Sequence, residues 1–215
     1  MLKTICLLSA FLLADPATQP AMDKGTEEVI DKVIKTAGSE VWPGVKKVEF
    51  TFNVEDDGKL VVSRSHKWDI VAKTDVVTDN VKKTDPVTVD LAKQEPAAGY
   101  QQWTNDSYWL LMPLKLKDGG VRFGPMMTTR DYPPSRANVT MSFAGVGLTP
   151  GDQYDLSINL RTNQIDHWVY RPNADTKKGF TWEDYKDFNG LVLATNHVSD
   201  DKKRRIYFTE IKVEK

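Results

Sequence analysis

The fold is decided by residues 48–71, which read VEFTFNVEDDGKLVVSRSHKWDIV. In the first half of this stretch apolar and polar residues alternate strictly, which is the period of a strand with one buried face. Asp57 and Gly58 follow as an Asp-Gly pair, a strong short-range signal for a tight hairpin turn. The return strand carries Trp68 and Ile70. The stretch therefore predicts an antiparallel hairpin with an apolar face that includes Val48, Phe50, Phe52 and Val54.

Similar patterns recur along the chain, and each is short, has an apolar face and ends at a polar turn. Short connections make neighbouring strands antiparallel. Together with the hairpin they give roughly nine strands, over which strand twist accumulates. We therefore predict an α+β fold built on a strongly curved antiparallel sheet, a half-barrel. The additional strand patterns are PVTVDLA (86–92), NVTMSFAGVG (138–147), YDLSINL (154–160), IDHWVYRP (165–172), GLVLATNHV (190–198) and RRIYFTEIKV (204–213).

One amphipathic helix is predicted at residues 26–37. Thr26 is its candidate N-cap, and Gly38 supplies a C-terminal stop. A helix of about 12 residues is marginal by itself in water. Its apolar stripe should therefore cover the concave side of the sheet, through Ile30, Val33, Ile34 and Ala37.

The second apolar feature is NDSYWLLMPLKLKDGG, residues 105–120. Its apolar run is far shorter than the roughly 20 residues of a membrane-spanning helix. Polar capping residues before the run and Pro113 after it favour a short helix at 106–112, and a strand at 107–116 is the competing interpretation. The large side chains must be covered. They either fill the concave face as core or line a ligand cavity through Trp103, Tyr108, Trp109 or Met112.

The N-terminus has the pattern of an export signal. Lys3 precedes an apolar stretch at 5–14, and a polar, proline-containing segment with small residues follows. We predict export to the periplasm of a Gram-negative-type bacterium and a signal peptide at 1–21, cleaved after Ala14, Ala17 or Ala21. Cys6 is the only cysteine, so the chain after cleavage has no thiol for a disulfide, a metal site or a nucleophile.

The composition is that of an ordinary globular protein. Of the 215 residues, 40% are hydrophobic and 27% are charged, and the formal net charge is -1. So balanced a charge provides no general attraction to nucleic acid or to an anionic membrane. We expect no nucleic-acid partner and no transmembrane segment after removal of the signal.

The sequence carries no recognisable catalytic or metal-binding motif. His66, His167 and His197 lie far apart without metal-ligand spacing, so we expect them to face solvent or to lie beside turns. Asp166 and His167 are neighbours on a predicted strand and point to opposite faces, which argues against a catalytic pair. A Gly-x-Ser-x-Gly elbow and a Gly-rich phosphate loop are both absent from the sequence. We predict a non-enzymatic protein that uses no metal and no cofactor.

The segment TWEDYKDFNG, residues 181–190, mixes three aromatic residues with acidic ones. We interpret it as a long hairpin connection whose aromatic residues tuck under the sheet. The alternative is a carbohydrate-binding loop that stacks an aromatic ring on a sugar.

Two stretches, NDSYWLLMPLKLKD (105–118) and GVGLTPGDQYDL (145–156), resemble a set of exported bacterial proteins. Those proteins are related in pattern to the outer-membrane lipoprotein-sorting carriers, the LolA/LolB-like superfamily. The resemblance implies a curved antiparallel sheet wrapped around helices, enclosing an apolar cavity that accepts acyl chains or another apolar ligand. The pattern assigns no arginine to the cavity position that sorting carriers use, and segment 94–113 is interpreted as an insertion.

These observations combine into one hypothesis about function. Residues 22–215 form a single LolA-like domain, with the segments 26–37 and 106–112 on the concave side of the sheet. The predicted function is a non-enzymatic periplasmic carrier or binder of a lipid, an acyl chain or another apolar moiety, in the context of envelope lipoprotein handling. Envelope proteins are further expected partners, and the alternative is a protein-interaction module of the cell envelope with a filled core and no ligand. The predicted cavity wall consists of Phe50, Phe52, Trp68, Trp109, Met112, Met141, Phe143, Tyr154 and Trp168.

Overall fold

A computed structural model describes residues 22–93, 98–132, 134–145 and 149–215 of the chain. The predicted signal peptide at 1–21 and the beginning of the predicted insertion, 94–97, lie outside the described residues. Within the described ranges the chain forms two α-helices, two short 3-10 segments and thirteen strands.

The helices are α1 (Lys24–Ala37) and α2 (Ala98–Leu111), and the 3-10 segments are Trp42–Gly44 and Met112–Lys115. The strands are β1 (Lys47–Asp56), β2 (Lys59–Asp69), β3 (Thr74–Asp79), β4 (Val87–Asp90), β5 (Val121–Phe123), β6 (Met127–Thr128), β7 (Arg136–Phe143), β8 (Gln153–Asn159), β9 (Gln164–Arg171), β10 (Lys178–Thr181), β11 (Glu183–Phe188), β12 (Leu191–Val198) and β13 (Arg204–Glu214). Their number exceeds the predicted nine because strands such as β5, β6 and β10 have four residues or fewer, too few to show a period.

All strand pairs are antiparallel, as predicted. One sheet has seven strands in the order β11-β12-β13-β1-β2-β3-β4, and the other has the order β10-β9-β8-β7-β5 with β6 also paired to β7. A bridge between Phe180 and Ser199 connects the two sheets. Helix α2 receives side chains from both sheets, because Trp68 of β2 packs on Trp103 and Trp168 of β9 packs on Trp109. The predicted curved antiparallel sheet with a helix on its concave side is confirmed.

The β1–β2 hairpin forms as the sequence predicts. Val54 pairs with Val62 and Phe52 with Arg64 across the two strands. Asp57 and Gly58 both have positive φ, 48° and 76°, which is the backbone of a tight type I′ turn. The four alternating apolar residues of β1 are all buried, so the period of two correctly identifies the inner face.

Helix α1 begins two residues earlier than predicted, because its N-cap is Asp23 and not Thr26. The Asp23 carboxylate accepts a hydrogen bond from the backbone N–H of Thr26 at 3.0 Å, and the Thr26 hydroxyl donates a second one. At the other end Gly38 has φ 102°, and its N–H bonds to the last turn as a left-handed cap. The buried stripe of the helix contains Ile30, Val33 and Ala37.

Helix α2 is longer than the predicted helix at 106–112, and the competing strand at 107–116 is wrong. It spans Ala98–Leu111 and continues as the 3-10 segment Met112–Lys115, where Pro113 ends the α-helical hydrogen bonding. Residues 103–113 are buried without exception, polar ones included. A helix that is buried on all sides has no solvent face, so the amphipathic pattern that sequence analysis uses to define helix length is missing here.

Residues 181–190 form an edge strand and not a long connection, because Glu183–Phe188 pairs with β12 as β11. The aromatic residues do turn inward, as expected. Trp182 is 2% exposed, and the Tyr185 hydroxyl donates a hydrogen bond to the Ile165 carbonyl at 2.7 Å. Since Trp182 has no free face, it cannot stack on a sugar from solvent.

Candidate functional site

The candidate site is the hollow of the curved sheet, which we define as the space between the inner faces of the two sheets that α2 occupies. The structure places every predicted wall residue in this interior, and none is more than 8% exposed. They belong to one continuous apolar core. The residues are Phe50, Phe52, Trp68, Trp109, Met112, Met141, Phe143, Tyr154 and Trp168.

On one side α2 faces aromatic rings. Trp109 lies at the centre, with its ring centroid 4.5 Å from that of Trp168, 5.0 Å from Phe180 and 5.3 Å from His197. Tyr108 lies 6.1 Å from Tyr154, which belongs to β8. Side chains of α2 thus fill the part of the hollow that the sequence assigned to a ligand, and the inner faces of β8, β9 and β10 pack directly on the helix.

The helix also makes ionic contacts, through Asp106, which lies one turn before Trp109. Asp106 of the helix accepts hydrogen bonds from Nε and a terminal nitrogen of Arg64, both at 2.6 Å. His66 contacts Asp106 through Nε2 at 3.0 Å and Asp75 through Nδ1 at 2.7 Å. Asn105 donates to the other Asp106 oxygen at 2.8 Å. We call Arg64, His66, Asp75 and Asp106 the charged cluster; it ties α2 to β2 and β3.

The charged cluster is buried. The side chains of His66, Asp75 and Asp106 have no exposed surface, and that of Arg64 is 14% exposed. The ring of His66 stacks on Phe50 with centroids 4.7 Å apart, and the Arg64 guanidinium lies 5.2 Å above the Phe52 ring. Two of the predicted wall residues therefore support the charged side of α2.

At the charged cluster burial favours the neutral forms of the side chains and ion pairing favours the charged forms. The ion pairs have the larger effect. Burial alone would lower the pKa of His66, but its hydrogen bonds to Asp106 and Asp75 raise that pKa to about 9. Both ring nitrogens face carboxylate oxygens, so both donate and the ring is an imidazolium. Burial opposes ionisation of Asp106 too, yet the charge of Arg64 and the contact with His66 hold its pKa below the usual range.

His197 is buried in the opposite chemical state. Its ring lies 4.4 Å from Trp182 and donates from Nδ1 to the Thr181 carbonyl at 3.1 Å. Burial among aromatic rings lowers the pKa of His197 to about 3, so the ring is neutral. The expectation that the histidines face solvent or lie beside turns is therefore wrong for His66 and His197, both of which lie on inner strand faces.

The remaining histidine supports no catalytic arrangement with its neighbour. His167 bonds through Nε2 to Asp200 at 2.8 Å, and Asp166 bonds to Arg136 at 2.7 Å. The two adjacent side chains thus have separate partners, and a register shift in the β8–β9 pairing interrupts the strict alternation of β9 at Asp166. Among the described residues no group of three or more His, Cys, Asp or Glu side chains is placed to hold a metal ion.

Sequence analysis missed the charged cluster, although a signal for half of it was present. Arg64 and His66 share the period of Trp68, so the alternation in β2 places all three on the inner face. Asp106 had no comparable signal, because α2 has polar and apolar residues buried alike.

None of the helices formed by the described residues is long and apolar enough to cross a membrane.

Comparison with known proteins establishes the fold and leaves the function open. No protein-family model matches the chain, and no curated protein matches its sequence. Among solved structures, a LolA superfamily protein from Nitrosomonas europaea superposes with a TM-score of 0.51 at 8% sequence identity, covering 86% of this chain and 94% of the other. A DUF1329 family protein from Desulfovibrio piger gives 0.50 at 8% identity, with 87% and 92% covered. The chain thus has a LolA-like fold, as the resemblance implied.

Proposed function

We propose that this protein is a non-enzymatic carrier or binder of a lipid, an acyl chain or another apolar moiety, which takes the place of α2 in the hollow. The observation that carries the proposal is the way α2 is held. A helix of 14 residues lies inside an apolar sheet, yet one side of it is fixed by buried charges. A space that accommodates such a helix also has the length and the lining to accommodate an acyl chain.

The apolar parts of the exchange of α2 for an acyl chain are comparable in free energy, and the broken ion pairs of Asp106 add a cost to undocking. Six large side chains of α2 are buried, and at roughly 1.5–3 kcal/mol each they stabilise the docked helix by roughly 9–18 kcal/mol. An acyl chain of about 16 methylenes contributes roughly 13 kcal/mol on the same scale. Neither occupant dominates the other, which is what a carrier that must also release its cargo requires. The six residues are Tyr100, Trp103, Tyr108, Trp109, Leu110 and Leu111.

The charged cluster supplies the specificity of docking. Buried ion pairs contribute little net stability compared with apolar residues of the same size, because each charge must be stripped of water. Breaking such a pair is nevertheless costly. The cluster therefore defines one docked position for α2 without making the helix more tightly held than an apolar contact would.

The cellular setting of the proposal comes from the sequence and the fold. We propose that residues 1–21 direct export, with cleavage after Ala14, Ala17 or Ala21, and that 22–215 act as a single domain in the periplasm. A LolA-like fold supports lipid or lipoprotein handling in the cell envelope as the context. No residue is assigned a catalytic role.

The proposal is tested by what the protein carries. A carrier purified from its own envelope under native conditions arrives with bound lipid, which native mass spectrometry detects as a mass increment over the mature chain. The emptied protein then binds cis-parinaric acid, whose fluorescence rises in an apolar environment. A protein that arrives empty and leaves the fluorescence of cis-parinaric acid unchanged contradicts the proposal.

A second test asks whether docked α2 competes with the ligand. Arg64→Lys keeps the charge but loses the two-pronged contact with Asp106, which weakens docking. If only the undocked form binds, a loss of about one charged hydrogen bond tightens binding about tenfold. Arg136→Lys is the matched control, because Arg136 also pairs with an aspartate but is exposed on β7 and away from α2. Equal or weaker binding of cis-parinaric acid by Arg64→Lys contradicts competition.

A protein-interaction module with a filled core is the second candidate. The tight burial of all the predicted wall residues favours it, and Val87 on the edge strand β4 is 54% exposed. Such a module carries no lipid in native mass spectrometry and binds cis-parinaric acid in none of the variants. The two tests above therefore separate the candidates without any knowledge of the partner.

A further inference from the structure

A cleft with charged side chains in its walls opens beside the hollow, between the start of β10 and the turn that joins β12 to β13. Its volume is about 420 Å³, which exceeds the space taken by a single ordered water many times over. Its walls carry four cationic side chains, and Phe180 is also part of its lining. The cationic side chains are Lys177, Lys178, Lys203 and Arg204.

The carboxylates of the cleft already have partners. Asp56 accepts two hydrogen bonds from Arg204 at 2.6 and 2.7 Å, which also lower the pKa of Asp56. Asp200 bonds to His167 at 2.8 Å. Asp201 accepts from the Ser199 hydroxyl at 2.7 Å and from the backbone N–H of Lys203 at 3.1 Å. Three negative charges are thus engaged within the walls of the cleft.

The lysines are not engaged in the same way. The ion pairs among the described residues include none of the three lysines, although the pKa of Asp201 is lowered by the hydrogen bond from Ser199 and further by the charge of Lys203. All three side chains are exposed. The cleft therefore presents three ammonium groups whose charge is not neutralised by a direct contact, and ammonium groups bind phosphate oxygens as point charges.

The cleft lies directly against the aromatic side of the hollow. Phe180 is 5% exposed and packs edge-to-face on Trp109 of α2, with centroids 5.0 Å apart. Trp109 in turn packs on Trp168 in the middle of the hollow. One aromatic side chain thus separates the charged cleft from the helix that an acyl chain would replace.

We propose that the cleft binds a phosphate group, and that this phosphate is the headgroup of an anionic amphiphile whose acyl chain occupies the neighbouring hollow. The part of the inference that concerns the acyl chain rests on the proposed function. The part that concerns the phosphate rests on the cleft alone. It narrows the ligand class from any apolar moiety to one with an acidic head.

The test compares two amphiphiles with the same chain, lysophosphatidic acid and monoolein, each below its critical micelle concentration. Their displacement of cis-parinaric acid gives the two affinities. We expect lysophosphatidic acid to bind about tenfold more tightly, the effect of one charge-assisted hydrogen bond. The advantage should shrink as salt is raised, since the lysines are exposed.

The double variant Lys178→Ala and Lys203→Ala removes two charges from the cleft. It should bring lysophosphatidic acid to the affinity of monoolein and leave monoolein unchanged. The control is Lys67→Ala with Lys186→Ala, which makes the same change in net charge at two exposed lysines outside the cleft. Equal binding of the two amphiphiles by the unaltered protein overturns the inference, as does an advantage that survives in the cleft variant.

Binding of inorganic phosphate tests the cleft as a phosphate site independently of the proposed carrier function. If neither amphiphile binds, the carrier function is wrong, and the broadening of the phosphate signal in phosphorus NMR then decides the cleft. Broadening that the cleft variant abolishes and the control retains identifies a site for free phosphate. No broadening, or equal broadening in both variants, means that the cleft is not a phosphate site.

Discussion

Two buried histidines beside α2, both on the inner face of the seven-stranded sheet, are in opposite charge states. In the charged cluster His66 is protonated and bonded to two carboxylates, with a pKa of about 9. Beyond Phe50 and Phe208 on the same sheet face, His197 is neutral among aromatic rings, with a pKa of about 3. Both rings are at most 1% exposed, so burial alone does not explain the difference.

The neighbours of each ring decide its state, and they define two groups of contacts to α2, a charged side through Asp106 and an aromatic side through Tyr108 and Trp109. The charged side gives the helix a defined position through contacts that break as a unit when one member is lost. The aromatic side holds the helix through apolar area, which an acyl chain can replace methylene by methylene. Contacts of both kinds fit the proposal that α2 occupies the hollow reversibly.

The largest effect on stability is expected for Asp106→Asn, which removes the charge that α2 contributes to the charged cluster. The substitution leaves the charges of Arg64 and His66 buried without their shared partner, and we expect a loss of about 3–5 kcal/mol in the free energy of unfolding. Urea denaturation at pH 7 measures it. Asp85→Asn is the control, because Asp85 is exposed, and it should change stability by less than about 0.5 kcal/mol. A loss below about 1 kcal/mol in Asp106→Asn would mean that the cluster does not hold α2.

The charged side also predicts a decline in stability with rising pH. The folded-state pKa of His66, about 9, lies above the ordinary value of 6.5. The contribution of protonated His66 to the free energy of unfolding is therefore complete below pH 6.5 and is lost as pH rises through 9, a decline of roughly 3 kcal/mol. Unfolding free energies from pH 6 to 10 should show this decline in the unaltered protein and lack it in His66→Gln. An identical slope in both proteins would assign the decline to another group.

The aromatic side predicts the opposite pH dependence. The folded-state pKa of His197, about 3, lies below 6.5, so its contribution is complete above pH 6.5 and is lost as pH falls. Between pH 6.5 and 5 we expect a loss of roughly 2 kcal/mol, the slope for one proton. In His197→Phe, whose side chain cannot titrate, the loss of unfolding free energy between pH 6.5 and 5 should be smaller by roughly 2 kcal/mol. If the slope is retained, the neutral state of His197 is wrong.

The smallest effect is expected for Trp168→Phe on the aromatic side. The Trp168 Nε1 has no hydrogen-bond partner among the described residues, so its removal leaves no polar group behind. We expect a loss of about 1 kcal/mol from reduced apolar contact, well below that of Asp106→Asn. Urea denaturation of the two variants side by side makes the comparison. A loss equal to that of Asp106→Asn would remove the distinction between the two sides.

The sequence predicted the sheet well and the contents of its hollow poorly. In β1 the alternation from Val48 to Val54 identifies the inner face, and Asp57 and Gly58 identify the turn, because both signals are local. The extent of α2 had no local signal, since residues 103–111 are buried on every side and show no helical period. The partnership of Asp106 with Arg64 joins residues 42 positions apart, and no period within one element predicts it.

The exchange of α2 for a ligand is tested most directly by amide hydrogen exchange with and without monoolein. We predict that the amides of α2 are protected in the empty protein and exchange faster when monoolein saturates it, while those of β8 remain protected. Unchanged or increased protection of α2 in the saturated protein would contradict replacement of the helix by the ligand.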